Sequence, residues 1–254
     1  MRHVFVVING KRFKQCLILV VAVFFAVGII YAEKDNISVF SQNEPAAIYS
    51  VETDQATIAL TFDISWGNTK LEPILKSLQD SGVKKATFFL SSPWAKSHPE
   101  LAEKIVKAGY EIGSHGHKHA NYSRLDEKEI RTQITTAHQL IAETTGVEPK
   151  LIRFPNGDIN RKVLQIAQEL HYTAIQWNID SMDWKSNSKD EIVNRVVSQA
   201  KPGSIVLLHA SDSAKYTDAA IPELVSQLKS KGYEFVTVSE LLEQTRHNRN
   251  LVGN

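Results

Sequence analysis

The sequence has almost no cysteine. Of 254 residues only Cys16 is one, and it sits inside an apolar run. The rest of the chain therefore has neither a disulfide nor a thiolate metal site, and a domain here must be held by its core alone. Acidic residues are missing from the first 32 positions, which hold four basic ones, Arg2, Lys11, Arg12 and Lys14. The remainder carries 25 basic and 28 acidic residues, a net of −3 against +1 for the whole chain. A mildly acidic body lacks the basic footprint of a nucleic-acid-binding domain, so no nucleic-acid partner is expected.

Charge is also missing from Cys16 to Ala32, an unbroken apolar run of 17 residues. That length is at the short limit for a membrane span and slightly long for the apolar part of a cleaved signal. Cleavage after Gly28 places Ala26 at the −3 position, whereas cleavage after Ala32 places Ile30 there. The run has no polar face, which argues against a buried core helix. Residues 1–32 are expected to be a signal peptide or a membrane anchor. The preceding positive charges stay inside, so the body is exported and tethered through residues 16–32 if uncleaved.

Residues 33–55 read as a polar linker. From residue 56 to 247 short apolar runs alternate with amphipathic stretches. Strands are expected near 57–63, 86–91, 110–114, 150–153, 173–178, 204–209 and 234–238. Helices are expected near 70–81, 98–108, 126–145, 160–170, 188–200, 219–231 and 239–247, with a tail at 248–254. Asp126 with Glu129 has the spacing of a capping box, and Gly109, Gly146 and Gly232 fall where helices should end. Seven strand–helix units in about 200 residues predict an α/β fold with a parallel sheet. A small (β/α) barrel suits the length, with a doubly wound open sheet as the alternative. In a barrel, chemistry gathers at strand C-termini.

Five polar features fall at such ends. Asp63 closes the first strand, placed as base, ligand or helix cap. His115 and His119 follow the third. On a helical turn, spacing of i, i+4 brings two imidazoles together to share a metal, while His117 is out of phase and expected exposed. Arg153 ends the fourth, where it can pair with a carboxylate or merely open the Pro155–Gly157 turn. Asp180 and Asp183 follow the fifth, beside Trp184, an aromatic suited to a sugar ring or to a core. His209 ends the sixth, where it can titrate as a general acid or sit satisfied in the core. Each has an ordinary structural reading, but random placement would scatter them over both ends of the strands. Their coincidence points to a metal-assisted hydrolase.

In this order the features resemble the polysaccharide deacetylases with a NodB-homology domain, carbohydrate esterase family 4, over residues 55–245. The matching segments are Thr61-Phe62-Asp63-Ile64, His115 to His119, Arg153 to Gly157, Asp180 to Trp184, and Leu207-Leu208-His209. The TFDISWGN wording and the basic-apolar N-terminus look most like the sporulation-associated PdaB-type subgroup. The resemblance implies a distorted (β/α)7–8 barrel of the glycoside hydrolase/deacetylase type. It implies that His115 and His119 bind zinc or cobalt, and that Asp63 is the general base, oriented by Arg153. The Asn156 N–H would bind the oxyanion, and His209, oriented by Asp183, would be the acid. Leu207 would pack on the acetyl methyl and Trp184 would line the groove. The implied partner of a monomeric enzyme is an N-acetylated glycan, peptidoglycan or chitin-like. One position departs from the pattern: the family's second aspartate, a metal ligand, is here Ile64. The alternatives are a weaker metal site, an Asp63 that turns to ligate, or an inactive chain that binds glycan.

Overall fold

The computed structural model describes residues 45–244 and 246–250. The strand–helix alternation is present, and it closes a barrel rather than an open sheet. Strands β2 (Thr57–Ile64), β3 (Thr87–Leu90), β4 (Glu111–Ser114), β5 (Leu151–Ile152) and β6 (Thr173–Ile175) pair in parallel, each beside the next. β8 (Ser204–His209) lies parallel to β2 on its other side, and β7 (Ile179–Asp180) lies parallel to β8. The ring is shut by β1 (Ala47–Glu52), parallel to β6 and joined to β8 by a single antiparallel bridge at Ser50 and Ser204. The Val51 N–H adds a bond to the Gly203 carbonyl at 2.9 Å. This one-bridge seam distorts the seven-strand barrel. A short β9 (Glu234–Phe235) pairs with the start of β2, and β10 (Arg246–Asn250) runs antiparallel to β1.

Strand alternation sorts the side chains. Leu60, Phe62 and Ile64 of β2, with Val206 and Leu208 of β8, pack outward in the layer between sheet and helices. Ala59 and Ile205 face inward with Phe89 and Ile175. The same inward face, further along, carries Thr61, Asp63, Leu207 and His209. The outer layer is made by α1 (Leu71–Asp80), α2 (Ser92–Ser97), α3 (Pro99–Lys107), α4 (Glu127–Thr145), α5 (Arg161–Glu169), α6 (Lys189–Gln199) and α7 (Thr217–Ser230). The last helix, α8 (Val238–Glu243), packs inward through Val238 and Leu241. The Asp126–Glu129 capping box is formed, and Gly146 ends α4 in the left-handed region with φ 71°.

Several expectations need correction. The linker 33–55 contains a barrel strand, β1. It escapes a periodicity search because its partners, β6, β8 and β10, are all far away in sequence. The expected strand 173–178 stops at Ile175. There Asn178 crosses to β8, its side chain bonding the Ile205 N–H at 2.8 Å and the Ser204 hydroxyl at 3.2 Å. The strand expected to reach 238 ends at Phe235, because Thr237 caps α8 in a second capping box with Glu240. That helix ends at Glu243 instead of 247, and β10 occupies part of the expected tail. Helix α2 was not anticipated. Among the described residues no helix is long and apolar enough to cross a membrane. The run at 16–32, with its signal-or-anchor expectation, lies outside the described residues.

Candidate active site

At the mouth of the barrel, the ends of β2, β4, β5 and β8 and the loops after them bring Asp63, His115, His119, Asn156, Leu207 and His209 around one open cleft of about 640 Å³. Arg153 and Asp183 stand behind this lining, both almost completely buried.

Asp63 and Arg153 form a buried ion pair. Arg153 Nη1 donates to Asp63 Oδ1 at 2.9 Å and to the Thr61 hydroxyl at 2.8 Å, while Nη2 donates to the Gln176 carbonyl at 3.0 Å. Its guanidinium lies over the Phe89 ring, 4.3 Å from the centroid. Burial pushes the Asp63 carboxyl up, but the charges of Arg153, His115 and His209 and the Arg153 hydrogen bond outweigh it and hold the group below its ordinary value. Asp63 is therefore ionised and fixed in direction.

His115 begins the loop after β4 and is buried. Its Nδ1 donates to the Arg153 carbonyl at 2.8 Å, which leaves the Nε2 lone pair free. Burial pulls its pKa down to about 4, with the charges of His119 and Arg153 adding to the effect and Asp63 opposing it. The ring is neutral at pH 7, the form that binds metal. The His119 ring centre is 5.7 Å away, at an interplanar angle of 61°. The pair is brought together, though not by a helical turn as expected. Residues 115–119 form an irregular loop bent at Gly116, whose φ is 75°. A Cβ at Gly116 would sit 2.3 Å from the Tyr122 hydroxyl, and that hydroxyl accepts the His117 N–H at 3.2 Å. His117 is half-buried rather than exposed, because its Nδ1 pairs with the Ser92 hydroxyl at 2.8 Å.

The third unit is His209 with Asp183. Nδ1 of His209 donates to Asp183 Oδ1 at 2.6 Å. Asp183 Oδ2 accepts the His209 backbone N–H at 2.8 Å and the Thr217 hydroxyl at 2.7 Å. Burial pulls His209 down, but the Asp183 hydrogen bond and the charges of Asp183, Asp63 and Asp180 prevail and raise its pKa above the ordinary value. Asn156 adopts φ 60°, a left-handed conformation that Asn tolerates. Its side chain donates to Asn121 Oδ1 at 2.9 Å. Its backbone N–H has no hydrogen-bond partner among the described residues. Trp184 is 48% exposed and lines the cleft. Sequence reasoning missed Trp66, 55% exposed, and Trp177, which line the same cleft. The signal available for Trp66 was its place two residues beyond the end of β2.

His115 and His119 fit a divalent metal as an open two-ligand site, since imidazole nitrogens suit such cations. Among the described residues no group of three His, Cys, Asp or Glu side chains is placed to hold an ion. The position expected to supply the third ligand is Ile64, fully buried in the layer between sheet and helices.

The fold and site define an α/β-barrel protein with two pairs of ionisable groups at the strand C-termini. The family model for polysaccharide deacetylase matches residues 50–175. The chain is 33% identical over 206 residues to a peptidoglycan-N-acetylglucosamine deacetylase of Bacillus cereus, covering 80% of this chain and 74% of that one. It is 36% identical over 203 residues to YlxY of Bacillus subtilis, an uncharacterized protein, covering 80% of this chain and spanning 62% of that protein's length. Its structure is similar to that of a carbohydrate esterase family 4 pseudoenzyme from Bacillus anthracis, with a TM-score of 0.74, 32% identity, and coverage of 83% and 73% of the two chains. The chain belongs to the polysaccharide deacetylase family.

Proposed function

We propose that the chain is a metal-assisted N-deacetylase of an N-acetylated cell-wall glycan, peptidoglycan or chitin-like, whose sugar is N-acetylglucosamine or N-acetylmuramic acid. The observation that carries this reading is the pairing of Asp63 with Arg153 and of His209 with Asp183 around one cleft. The two pairs push the two titratable groups in the directions amide hydrolysis needs. Asp63, held ionised, accepts the proton of the attacking water. His209, held protonated toward higher pH, delivers a proton to the leaving amine. Arg153 and Asp183 act through these two groups, fixing their charge and direction. Leu207 packs on the acetyl methyl, Trp184 walls the sugar, and the unpaired N–H of Asn156 is the donor for the oxyanion. Zinc or cobalt held by His115 and His119 would supply Lewis-acid polarisation of the acetamide carbonyl. The products are acetate and a free amino sugar.

The apolar run at 16–32 and the basic residues before it support an extracytoplasmic location. The TFDISWGN wording supports a role in the envelope of a sporulating cell. Acetate release from N-acetylated peptidoglycan or chitin oligomers, with zinc or cobalt added, tests the activity, with His115→Ala as the control. Absence of metal-dependent release on every such glycan overturns it.

One observation favours a second reading, a glycan-binding envelope protein with little turnover. Ile64 removes a charged ligand, and one structural relative is described as a pseudoenzyme. Glycan binding without metal binding, measured by calorimetry, would select this reading.

A further inference from the structure

Three large hydrophobic side chains are exposed among the described residues, and two of them, Trp66 and Trp184, line the cleft. They arrive from different sides. Trp66 follows β2 and Trp184 follows β7, while β8, which carries Leu207 and His209, pairs with both strands and lies between them. The loop that presents Trp66 is pinned on either side of the indole. The Ser65 N–H donates to the Ser211 hydroxyl at 2.9 Å, and the Gly67 carbonyl accepts the Trp94 indole N–H at 2.6 Å. Just beyond, Asp212 Oδ1 accepts the Thr69 N–H at 2.9 Å and the Lys70 N–H at 3.2 Å. Gly67 has φ 82°, and a Cβ there would lie 2.2 Å from the Asp212 carboxyl carbon, so only glycine lets the loop close on that carboxylate. An indole left in water on so fixed a loop is already arranged to receive a flat apolar surface, at little further ordering cost.

We infer that Trp66 is a second sugar platform, and that Trp66 and Trp184 flank the reacting residue so that the cleft takes an internal residue of a glycan chain. The apolar face of a pyranose ring lies on each indole, while the acetamide between them reaches Leu207 and His209. The inference rests on the deacetylase reading and extends it to substrate length: the preferred substrate is an oligomer with sugars on both sides of the one deacetylated.

The test uses the full chain with zinc and N-acetylglucosamine oligomers of one to five residues. kcat/KM is expected to climb with length to at least the trisaccharide. Trp66→Ala should lose about tenfold more on the pentasaccharide than on the disaccharide, chiefly through KM, and Trp66→Phe should restore most of it. Its melting temperature should match the parent, since an exposed ring contributes little to the fold. Indole fluorescence titrated with the pentasaccharide gives binding independently of turnover. If Trp66→Ala keeps the parent's length dependence and affinity, the inference falls and the deacetylase reading stands. If no oligomer yields acetate but binding still depends on Trp66, the deacetylase reading falls and the platform stands.

Discussion

Asp183 grips His209 at two points, the ring Nδ1 at 2.6 Å and the backbone N–H at 2.8 Å. The carboxylate thus fixes both the tautomer and the place of the imidazole, and its charge favours the protonated ring. The acid form of His209 persists to higher pH than an ordinary histidine's, and a general acid works only while protonated. Activity should therefore decline as pH climbs through this raised value. In Asp183→Asn the carboxamide cannot stabilise the imidazolium, and burial of the ring, which lowers the pKa, is left unopposed by that partner. The high-pH limb of acetate release should move to lower pH, with a loss of about 10²–10⁴-fold at the optimum. A pH–rate profile whose alkaline limb stays in place would remove His209 from the acid role.

His115 makes the metal-free protein acid-sensitive. Its pKa is about 4 when folded against about 6.5 when unfolded. Between these values the unfolded chain binds a proton that the folded chain does not. Stability is therefore full above about pH 6.5 and falls as pH drops toward 4, by about 3 kcal/mol from this group. His115→Asn should show a shallower decline over that window. Urea midpoints at pH 7.5, 5.5 and 4.5, measured with chelator present, would check it; parallel curves for parent and variant would refute it.

The bend at Gly116, not a helical turn, sets the two imidazoles. A methyl group there meets the Tyr122 hydroxyl and demands a left-handed alanine. Gly116→Ala should cost about 1–3 kcal/mol and weaken zinc binding by more than any loss of folded protein explains. Calorimetric zinc titration of the folded fraction would measure this, and an unchanged affinity would mean the loop tolerates another path.

Much of this was legible in the sequence where the controlling contacts are local. Asp126 and Glu129 are three residues apart, and their capping box could be read directly. The inward and outward alternation of β2 and β8 likewise follows from period-two patterning, which turns Asp63 and His209 to the inner face of their strands; that the two strands are neighbours does not. What stayed hidden depends on distant partners. β1 is a strand because β6, β10 and the Ser204 end of β8 pair with it, and nothing within Ala47–Glu52 declares them. His117 owes its half-buried place to Ser92, 25 positions earlier. Trp66 stood in plain view, but its significance comes from Ser211, Asp212 and Trp94, which hold its loop. The i, i+4 spacing of His115 and His119 led to the right pairing through the wrong local geometry, since a loop bent at a glycine can also bring two rings within 6 Å.

Ile64 offers the sharpest experiment on the metal. It is fully buried among Leu60, Phe62 and other apolar side chains outside the barrel, yet it directly follows the ionised Asp63. An aspartate there loses apolar burial and places a second carboxylate beside the first with no arginine of its own. Without metal, Ile64→Asp should be destabilised by about 3 kcal/mol or more, through desolvation and like-charge repulsion. Binding that favours the folded state lifts its stability in proportion to the gain in affinity. If the new carboxylate turns to join His115 and His119, saturating zinc should raise the variant's melting temperature by more than it raises the parent's. That differential rise is the expected result, with tighter zinc binding by calorimetry. Equal zinc effects in parent and variant would mean that position 64 faces only the apolar layer in this chain and gives no ligand to a cation at the two histidines.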